Sequence, residues 1–276
     1  MSDICVIHLV RRRNGLQPFI DFIESYRKYN AGVEHILLII LKDFEGNSIP
    51  PEYGVVLDGI QYEAIFVGDD GFDIGAYFIG AKSVTSSYLC FLNSFSILQV
   101  DNWLQKMFEH IHRPEVGLVG ATGSYESHYT NHCSSVFQTS NTFILRRVAR
   151  LVLRYYQCIK IKRAFFPFPN YHIRTNGFML SRELILSLQS QLYLSKTDVE
   201  EFESGRNSLT RQILAKKLQV LVVGKDGRAY DVKDWPQSNT FRSGNQSNLL
   251  IADNRTQQYQ LAGEQEKQLL RKLAWG

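Results

Sequence analysis

The chain has 276 residues, of which 44% are hydrophobic and 21% charged, so it is a packed globular protein rather than a disordered one. Its formal net charge is +4, from 31 lysines and arginines against 27 aspartates and glutamates. So small an excess predicts no binding of nucleic acid, which requires a dense basic surface, but it is compatible with phosphate ligands.

Cysteine placement and the chain start favour a cytoplasmic protein. The four cysteines are far apart, and Cys5 and Cys90 fall inside apolar runs, as expected in a reducing compartment. The first residues lack the basic and apolar segments of a secretory signal. No apolar run approaches the ~20 residues that a membrane-spanning helix requires.

Strands and helices are predicted to alternate through the first 120 residues. Apolar runs predict strands at Ile4–Val10, His35–Leu41, Tyr62–Val67, Tyr88–Leu92 and Val116–Val119. Helical spacing predicts helices at Leu16–Tyr29 and Ile74–Val84, and Asp101 is expected to cap a third that runs to His112. The stretch Asn47–Gly59 reads as a loop. This alternation favours parallel βαβ units and an α/β fold.

The second half is less regular. Its predicted elements are a basic helix at Phe143–Lys162, a strand at Ile173–Leu180, a helix at Ser208–Lys217 and a strand at Val220–Val223. A polar tail is expected from Trp235 onward. The sequence contains no repeat or linker, so we expect one domain over residues 1–276.

Polar residues follow the predicted strands. They are Val10–Arg13 after the first strand, Lys42 and Asp43 after the second, Asp69–Asp73 after the third and Asn93–Ser96 after the fourth. Ligands of open α/β sheets bind beyond the carboxyl ends of the strands, so these residues are expected to meet at one edge. The alternative is that they are solvated loop ends.

Several common site motifs are absent from the sequence. No GxGxxG follows the first strand, and there is no phosphate loop, nucleophile elbow or HExxH pair. His128 and His132, with Cys133 beside them, have metal-ligand spacing only if the segment is helical. The composition of Tyr129–Asn131 is poor for a helix, so a metal site there is disfavoured.

Four short motifs, in order, resemble the GT-A type glycosyltransferases, most closely their bacterial family-2-like and rhamnan-synthesis-like branches. Gly71–Tyr77 (GFDIGAY) resembles the family's GxDxG element, and Cys90–Ser94 resembles the strand end that carries its Asp-x-Asp motif. Arg174–Arg182 resembles the strand before the acceptor-site helix. Glu203 with Leu209–Gln212 resembles the segment that bears the catalytic carboxylate. The resemblance spans about residues 4 to 224.

The resemblance implies a single-domain α/β protein with the GT-A fold, a Rossmann-like, mixed and mainly parallel sheet flanked by helices. It implies an inverting glycosyltransferase that moves a sugar from a nucleotide-sugar donor to a glycan or lipid-linked acceptor in bacterial surface polysaccharide synthesis. Residues 1–120 are expected to bind the nucleotide sugar, and residues 121–276 the acceptor. The alternative is a catalytically inactive GT-A module that binds nucleotide or glycan.

The expected roles fall on three groups of residues. The donor-binding candidates are Val10, Arg11, Arg13, Asp43, Asp70, Asp73, Asn93, Ser94, Ser96 and Arg255. The acceptor-binding candidates are His172, Asn176 and Gly177. Inverting transfer needs a carboxylate that takes the proton of the attacking hydroxyl. Glu203, predicted to lie just before a helix, is the first candidate for this base, and Asp198 is the second.

The chain departs from the family at the metal motif. Where the family carries Asp-x-Asp, this sequence has Asn93-Ser94-Phe95-Ser96, which offers only neutral oxygens. A divalent cation prefers carboxylates, so no metal ligand is predicted and dependence on Mg²⁺ or Mn²⁺ is expected to be weak or absent.

A basic amphipathic segment gives the last prediction. Residues 144–159 place apolar side chains on one helical face and arginines off it, and an aromatic-proline segment follows at Phe165–Pro169. Such a segment either packs on the core with a solvated basic face or contacts an anionic membrane through residues 144–169. The second case predicts a peripheral location at the inner face of the membrane, where lipid-linked acceptors lie.

Overall fold

An eight-stranded mixed sheet forms the centre of the computed structural model, which describes residues 2–46, 48–136, 156, 158–188 and 195–276. The strands in chain order are β1 (Ile4–Arg11), β2 (Ile36–Lys42), β3 (Glu63–Val67), β4 (Tyr88–Leu92), β5 (Ile97–Leu98), β6 (Val116–Gly120), β7 (Gly123–Ser124), β8 (His172–Ile173), β9 (Gly177–Ser181), β10 (Gln219–Val223), β11 (Ala229–Tyr230) and β12 (Ile251–Ala252). The large sheet has the order β11-β10-β6-β9-β4-β1-β2-β3. Within it β9 is antiparallel to both neighbours, β11 is antiparallel to β10, and the remaining pairs are parallel.

Helices cover both faces of this sheet. They are α1 (Gln17–Lys28), α2 (Pro51–Val56), α3 (Phe72–Ser83), α4 (Trp103–Ile111), α5 (His128–Val136), α6 (Arg182–Ser187), α7 (Lys196–Ser204), α8 (Leu209–Ala215), α9 (Asn254–Leu261) and α10 (Glu264–Trp275). Apolar residues of α1 and α4 pack on one face, and those of α3, α7 and α8 pack on the other. The mixed, mainly parallel sheet flanked by helices in one domain, expected from the resemblance, is therefore confirmed.

Burial on both faces explains why β1 is mostly apolar, with His8 and Arg11 as its polar residues. Val6 joins the core under α1 and α4, and Ile7 joins the core under α3. Both faces of a mainly parallel sheet are buried, so the strand shows no polar alternation. A β-carbon at Gly80 of α3 would lie 2.8 Å from Ile40 Cδ1 and 3.3 Å from Ile7 Cγ2, so the close approach of α3 to the sheet requires glycine here.

The two halves of the chain share the sheet. Strand β9, from the second half, lies between β4 and β6 of the first. Consequently the start of β9 meets the carboxyl ends of β4 and β6 at one edge. The assignment of donor and acceptor to the two halves stays a prediction.

Two predictions on local structure in the first half are wrong. The expected loop Asn47–Gly59 contains α2, because Pro50 and Pro51 favour a helix start and Tyr53 and Leu57 bury apolar surface. Asp101 does not cap α4, whose N-cap is Asn102 in a left-handed conformation. The Asp101 carboxylate instead accepts a hydrogen bond of 2.9 Å from the backbone N–H of Asn30.

The predicted polar tail is also wrong, because the chain after Trp235 is folded. Strand β12 pairs with β5, and α9 and α10 follow it. Trp235 and Leu250 are fully buried, and a capping box between Asp253 and Thr256 starts α9. These few apolar side chains fix a segment whose average composition is polar. The predicted strand Ile173–Leu180 is likewise two strands, β8 and β9, separated by residues 174–176.

The segment from His128 onward is helical, contrary to the sequence-based expectation, and forms α5. Within the described ranges, no group of three or more His, Cys, Asp or Glu side chains is arranged to hold a metal ion. The predicted basic helix at Phe143–Lys162 lies largely outside the described residues, although residues 158–164 are helical. No helix in the described part of the chain is long and apolar enough to cross a membrane.

Candidate functional site

Two buried cations and two carboxylates meet where β1, β2 and β3 end. Arg11, the last residue of β1, is 6% exposed, and Lys42, the last residue of β2, is 0% exposed. Arg11 Nη2 lies 2.6 Å from Asp69 Oδ1, and Arg11 Nη1 lies 3.7 Å from Asp73 Oδ1. Lys42 Nζ lies 3.6 Å from Asp69 Oδ1. The parallel register of the strands brings these side chains to one edge, as the sequence predicts.

The two carboxylates differ in their electrostatics. The hydrogen bond from Arg11 lowers the pKa of Asp69 below its ordinary value. Burial raises the pKa of Asp73, and the charges of Arg11 and Lys42 act in the opposite direction. Asp73 Oδ1 is buried and has no hydrogen-bond partner in the described structure. Asp73 Oδ1 is therefore an acceptor whose one described contact is the long ion pair with Arg11 at 3.7 Å.

Lys42 also fixes the loop that carries these acids. Its ammonium donates to the backbone carbonyls of Gly68 at 2.9 Å and Asp70 at 2.8 Å. Burial lowers the pKa of Lys42, while the nearby Asp69 raises it. The side chains of Asp70, Asp43 and Arg13 are exposed around the cluster.

The side chain of Val10 is part of the hydrophobic core and therefore lies away from this edge.

The polar atoms of the turn after β4 form hydrogen bonds with one another. Asn93 Oδ1 accepts hydrogen bonds from Phe95 N at 3.0 Å and from Ser96 Oγ at 3.1 Å. Ser96 is fully buried, and its hydroxyl also lies 3.1 Å from the Asn176 carbonyl. Ser94 is buried in the same turn. The oxygens of this turn thus join the end of β4 to Asn176, and no carboxylate is among them.

Glu203 reaches the segment between β8 and β9. It lies in the last turn of α7 and precedes α8, as predicted, and its side chain is half-buried. Its Oε1 accepts a hydrogen bond of 3.1 Å from the backbone N–H of Thr175. Asn170 Nδ2 donates to the Ser204 carbonyl at 2.6 Å and so holds the end of α7 against the chain before β8. Thr175, which makes this contact, directly precedes Asn176 in the chain.

His172 lies beside this carboxylate. It is buried, and its Nδ1 lies 2.8 Å from the Asn170 carbonyl, which can only accept, so Nδ1 carries the proton. Burial lowers the pKa of His172, while the Glu203 charge and the hydrogen bond to Asn170 raise it. The histidine is therefore held in one tautomer next to Glu203.

Tyr77 is a buried residue whose hydroxyl is influenced by the charges of both Asp73 and Glu203. Its side chain is fully buried in α3, and its hydroxyl has no hydrogen-bond partner in the described structure. Burial raises its pKa well above the ordinary value, and the charges of Asp73 and Glu203 raise it further. Asp73 and Glu203 thus lie within electrostatic range of one buried hydroxyl.

Asp198 lies at the other end of α7 from Glu203. Its carboxylate accepts a hydrogen bond of 2.7 Å from the backbone N–H of Ser195, and Ser195 Oγ accepts from Asp198 N at 3.3 Å. This capping box stabilises the first turn of the helix. The structure gives Asp198 a capping contact and does not bring it to the sheet edge with Glu203.

A second cationic group lies around the ring of Phe241, near Arg255, and its pairings were not predicted from the sequence. Arg174 pairs with the buried Asp253 at 2.8 Å and Arg242 with Glu126 at 3.3 Å. The two guanidinium carbons lie 4.3 Å and 4.9 Å from the Phe241 ring centroid. The one local signal was the Asp-x-x-Thr spacing of the capping box that begins at Asp253.

Hydrogen bonds link this second group to the turn after β4. Arg174 Nη1 lies 3.3 Å from Thr122 Oγ1, and the Thr122 hydroxyl donates to Asn176 Oδ1 at 2.8 Å. Arg255 is exposed in the first turn of α9 and lowers the pKa of Arg242, after the larger effect of burial. Gly177 begins β9, and a β-carbon there would lie 3.3 Å from Ile251 Cδ1, so tight packing alone accounts for this glycine.

Comparisons with known proteins find similarity among solved structures but not among sequence families. The chain matches no protein-family model and no curated protein. A mannosyltransferase from Pyrobaculum calidifontis, solved in complex with GDP-Man and Mn²⁺, aligns with 8% identity and a TM-score of 0.39. The alignment covers 67% of this chain and 46% of that protein, so this chain spans just under half of its length. A match at this distance assigns neither donor nor activity to this chain.

Proposed function

We propose that this protein is an inverting glycosyltransferase that uses a nucleotide-sugar donor. The observation that supports it best is the arrangement at one sheet edge. The Arg11–Asp73 cluster, the turn from Asn93 and the Glu203 contact lie at the ends of the neighbouring strands β1, β4 and β9. Cations for a diphosphate, acceptors for base or ribose and a carboxylate near the acceptor strand are the groups that such a transfer needs.

In the proposed reaction the acceptor hydroxyl attacks the anomeric carbon. The bond from that carbon to the diphosphate oxygen breaks, and the nucleoside diphosphate leaves with the bonding electrons. Glu203 takes the hydroxyl proton, and the hydrogen bond from Thr175 N holds the carboxylate in place. Asp73 accepts hydrogen bonds from the donor, because its Oδ1 accepts none in the described structure.

We further propose that the reaction requires no divalent cation, with arginine side chains offsetting the diphosphate charge. The oxygens of Asn93 and Ser96 are engaged in their own turn, and the cationic groups of Arg11, Arg174 and Arg242 lie along the same edge. Fixed cations stabilise a leaving diphosphate as a metal does, without coordination.

The acceptor is proposed to be a glycan or lipid-linked chain of a bacterial surface polysaccharide. The described part of residues 144–169 exposes Lys160, Lys162 and Arg163, a basic surface that suits an anionic membrane. Co-sedimentation with vesicles that contain anionic lipid, but not with neutral vesicles, tests this contact.

A panel of nucleotide sugars tests the proposal as a whole. Donor binding is measured by thermal shift, and slow hydrolysis of the bound donor by release of the nucleoside diphosphate. We expect one donor to raise the melting temperature in proportion to the logarithm of its concentration and to be hydrolysed. Binding without hydrolysis or transfer would favour an inactive binding module, and no binding by any donor would contradict the transferase.

A further inference from the structure

The network around Phe241 contains buried hydrogen-bond donors that have no acceptor. Arg242 is 4% exposed, and its Nε has no hydrogen-bond partner in the described structure. The side-chain amide of Asn176 also has a buried donor, Nδ2, without a hydrogen-bond partner in the described structure. Its Oδ1, in contrast, accepts a hydrogen bond from Thr122. Unpaired buried donors cost folding free energy, so two in one network indicate a place for an acceptor-rich ligand.

The charges of the same network are unbalanced. Arg242 lies within electrostatic range of two further arginines, Arg174 and Arg255, and of two carboxylates, Glu126 and Asp253. Three positive charges against two negative ones leave one positive charge in excess. Both carboxylates are already paired with arginines, Asp253 at 2.8 Å and Glu126 at 3.3 Å. An anion, rather than a cation, would correct this imbalance.

The backbone at Arg242 is in an unfavourable conformation. Its φ is +43°, in the left-handed region that residues with a β-carbon seldom adopt. The side-chain carbonyl of Gln246 holds this conformation by accepting from Arg242 N at 3.0 Å. Backbone strain of this kind is concentrated at binding sites, where it fixes a side chain in advance of the ligand.

The network also adjoins the turn that replaces the metal motif. In the pairing of β12 with β5, Ala252 lies opposite Ile97. Asp253 and Ser96 are the next residues in that register, so the Arg174–Asp253 pair lies beside the buried hydroxyl of Ser96. The arginines therefore lie near the position where the family resemblance would place a metal ion.

We propose that Arg242, together with Arg174 and the Asn176 amide, forms the binding site for the diphosphate of the donor. Phosphate oxygens would accept from Arg242 Nε and Asn176 Nδ2, and the excess positive charge would offset part of the diphosphate charge. This inference rests on the proposed function, and it names the residues that take the place of the metal.

Inorganic pyrophosphate is the probe that tests the site. Calorimetry with the full chain, in buffer that contains EDTA, compares wild type with Arg242→Gln and Arg242→Lys. The matched control is Arg113→Gln, because Arg113 is exposed in the loop before β6, at the opposite edge of the sheet. We expect Arg242→Gln to weaken binding at least about tenfold, Arg242→Lys to weaken it less, and the control to stay within twofold.

Saturable binding that Arg242→Gln leaves within twofold of wild type would overturn the proposal, and so would the absence of binding to wild type. If circular dichroism shows that Arg242→Gln fails to fold, Asn176→Asp tests the site instead. This substitution replaces the unpaired side-chain amide of Asn176 with a negatively charged carboxylate. We expect that variant to lose pyrophosphate binding, and retained affinity would overturn the site.

The outcomes also separate this inference from the proposed function. Pyrophosphate binding that depends on Arg242, in a protein that binds no nucleotide sugar, would support the anion site and contradict the glycosyltransferase. Nucleotide-sugar binding that is unchanged in Arg242→Gln would support the transferase and contradict the anion site.

Discussion

Burial of His8 makes the stability of this protein depend on pH in a way that one substitution should remove. The His8 imidazole is fully buried in β1 and stacks on Phe22 with ring centroids 3.6 Å apart. Neither ring nitrogen has a hydrogen-bond partner in the described structure. Burial lowers the pKa of His8 from 6.5 to about 3. The folded protein therefore keeps the imidazole neutral where the unfolded chain takes up a proton.

The sign and size of the effect follow from this pKa. Because the folded pKa lies below the unfolded one, the stability from neutral His8 is complete above pH 6.5 and is lost as the pH falls toward 3. Each pH unit in that window costs about 1.4 kcal/mol of unfolding free energy. Between pH 8 and pH 5, His8 should contribute a loss of about 2 kcal/mol.

The substitution His8→Leu removes the titrating group at similar volume. It also removes an N–H that is buried without an acceptor, which costs about 1–3 kcal/mol, and loses ring stacking worth about 0.5–1.5 kcal/mol. At pH 8 the variant should therefore be as stable as wild type or more stable. Other groups titrate in both proteins, so the difference between the two curves isolates His8.

Urea unfolding at pH 8, 7, 6 and 5, followed by tryptophan fluorescence, measures the effect. We expect wild type to lose about 2 kcal/mol more than His8→Leu across this range. The exposed His112, substituted by Gln, is the control and should follow wild type. Parallel curves for wild type and His8→Leu would refute the reasoning.

Two further predictions concern the donor site. Asp73→Asn should weaken donor binding at least about tenfold in calorimetry and leave the melting temperature nearly unchanged. Asp73 Oδ1 has no described hydrogen bond to lose, and its ion pair with Arg11 is long, at 3.7 Å. A fall in melting temperature with unchanged affinity would identify a structural cap instead. Donor affinity should change less than twofold when EDTA is added, since Asn93 and Ser96 offer no carboxylate; binding that EDTA abolishes and Mn²⁺ restores would contradict metal independence.

The sheet edge could be predicted from the sequence because its signals are local. A strand buried on both faces is an unbroken apolar run, and the polar residues at its carboxyl end follow directly in the chain. Parallel order then brings those ends together, so the meeting of Arg11 and Asp73 required only the strands and their direction. Lys42 was within the predicted region, but its complete burial and its two carbonyl contacts depend on the loop after β3.

The arginine network could not be predicted in this way, because its pairs are distant in sequence. Arg174 and Asp253 are 79 residues apart and meet through the pairing of β12 with β5, each only two residues long. The apolar run at Leu249–Ile251 is too short to show a period within a polar segment. Asp198 and Glu203 present the opposite case, since composition alone could not distinguish a helix cap from a carboxylate at the sheet edge.

The central claim is that this edge transfers a sugar with Glu203 as the base, and the rate of transfer by Glu203→Gln tests it most directly. Glutamine keeps the shape of the side chain but cannot take a proton. Asp198→Asn removes the charge of the second candidate in the capping box of α7, and Glu200→Gln on the same helix is the matched control. Donor affinity is measured alongside for every variant.

With the donor identified in the panel and an acceptor glycan, Glu203→Gln should bind donor as wild type does and transfer the sugar about 10²–10⁴-fold more slowly. Asp198→Asn and Glu200→Gln should transfer within a few-fold of wild type. Transfer by Glu203→Gln at a rate within a few-fold of wild type would contradict the account, and a loss confined to Asp198→Asn would move the base to Asp198.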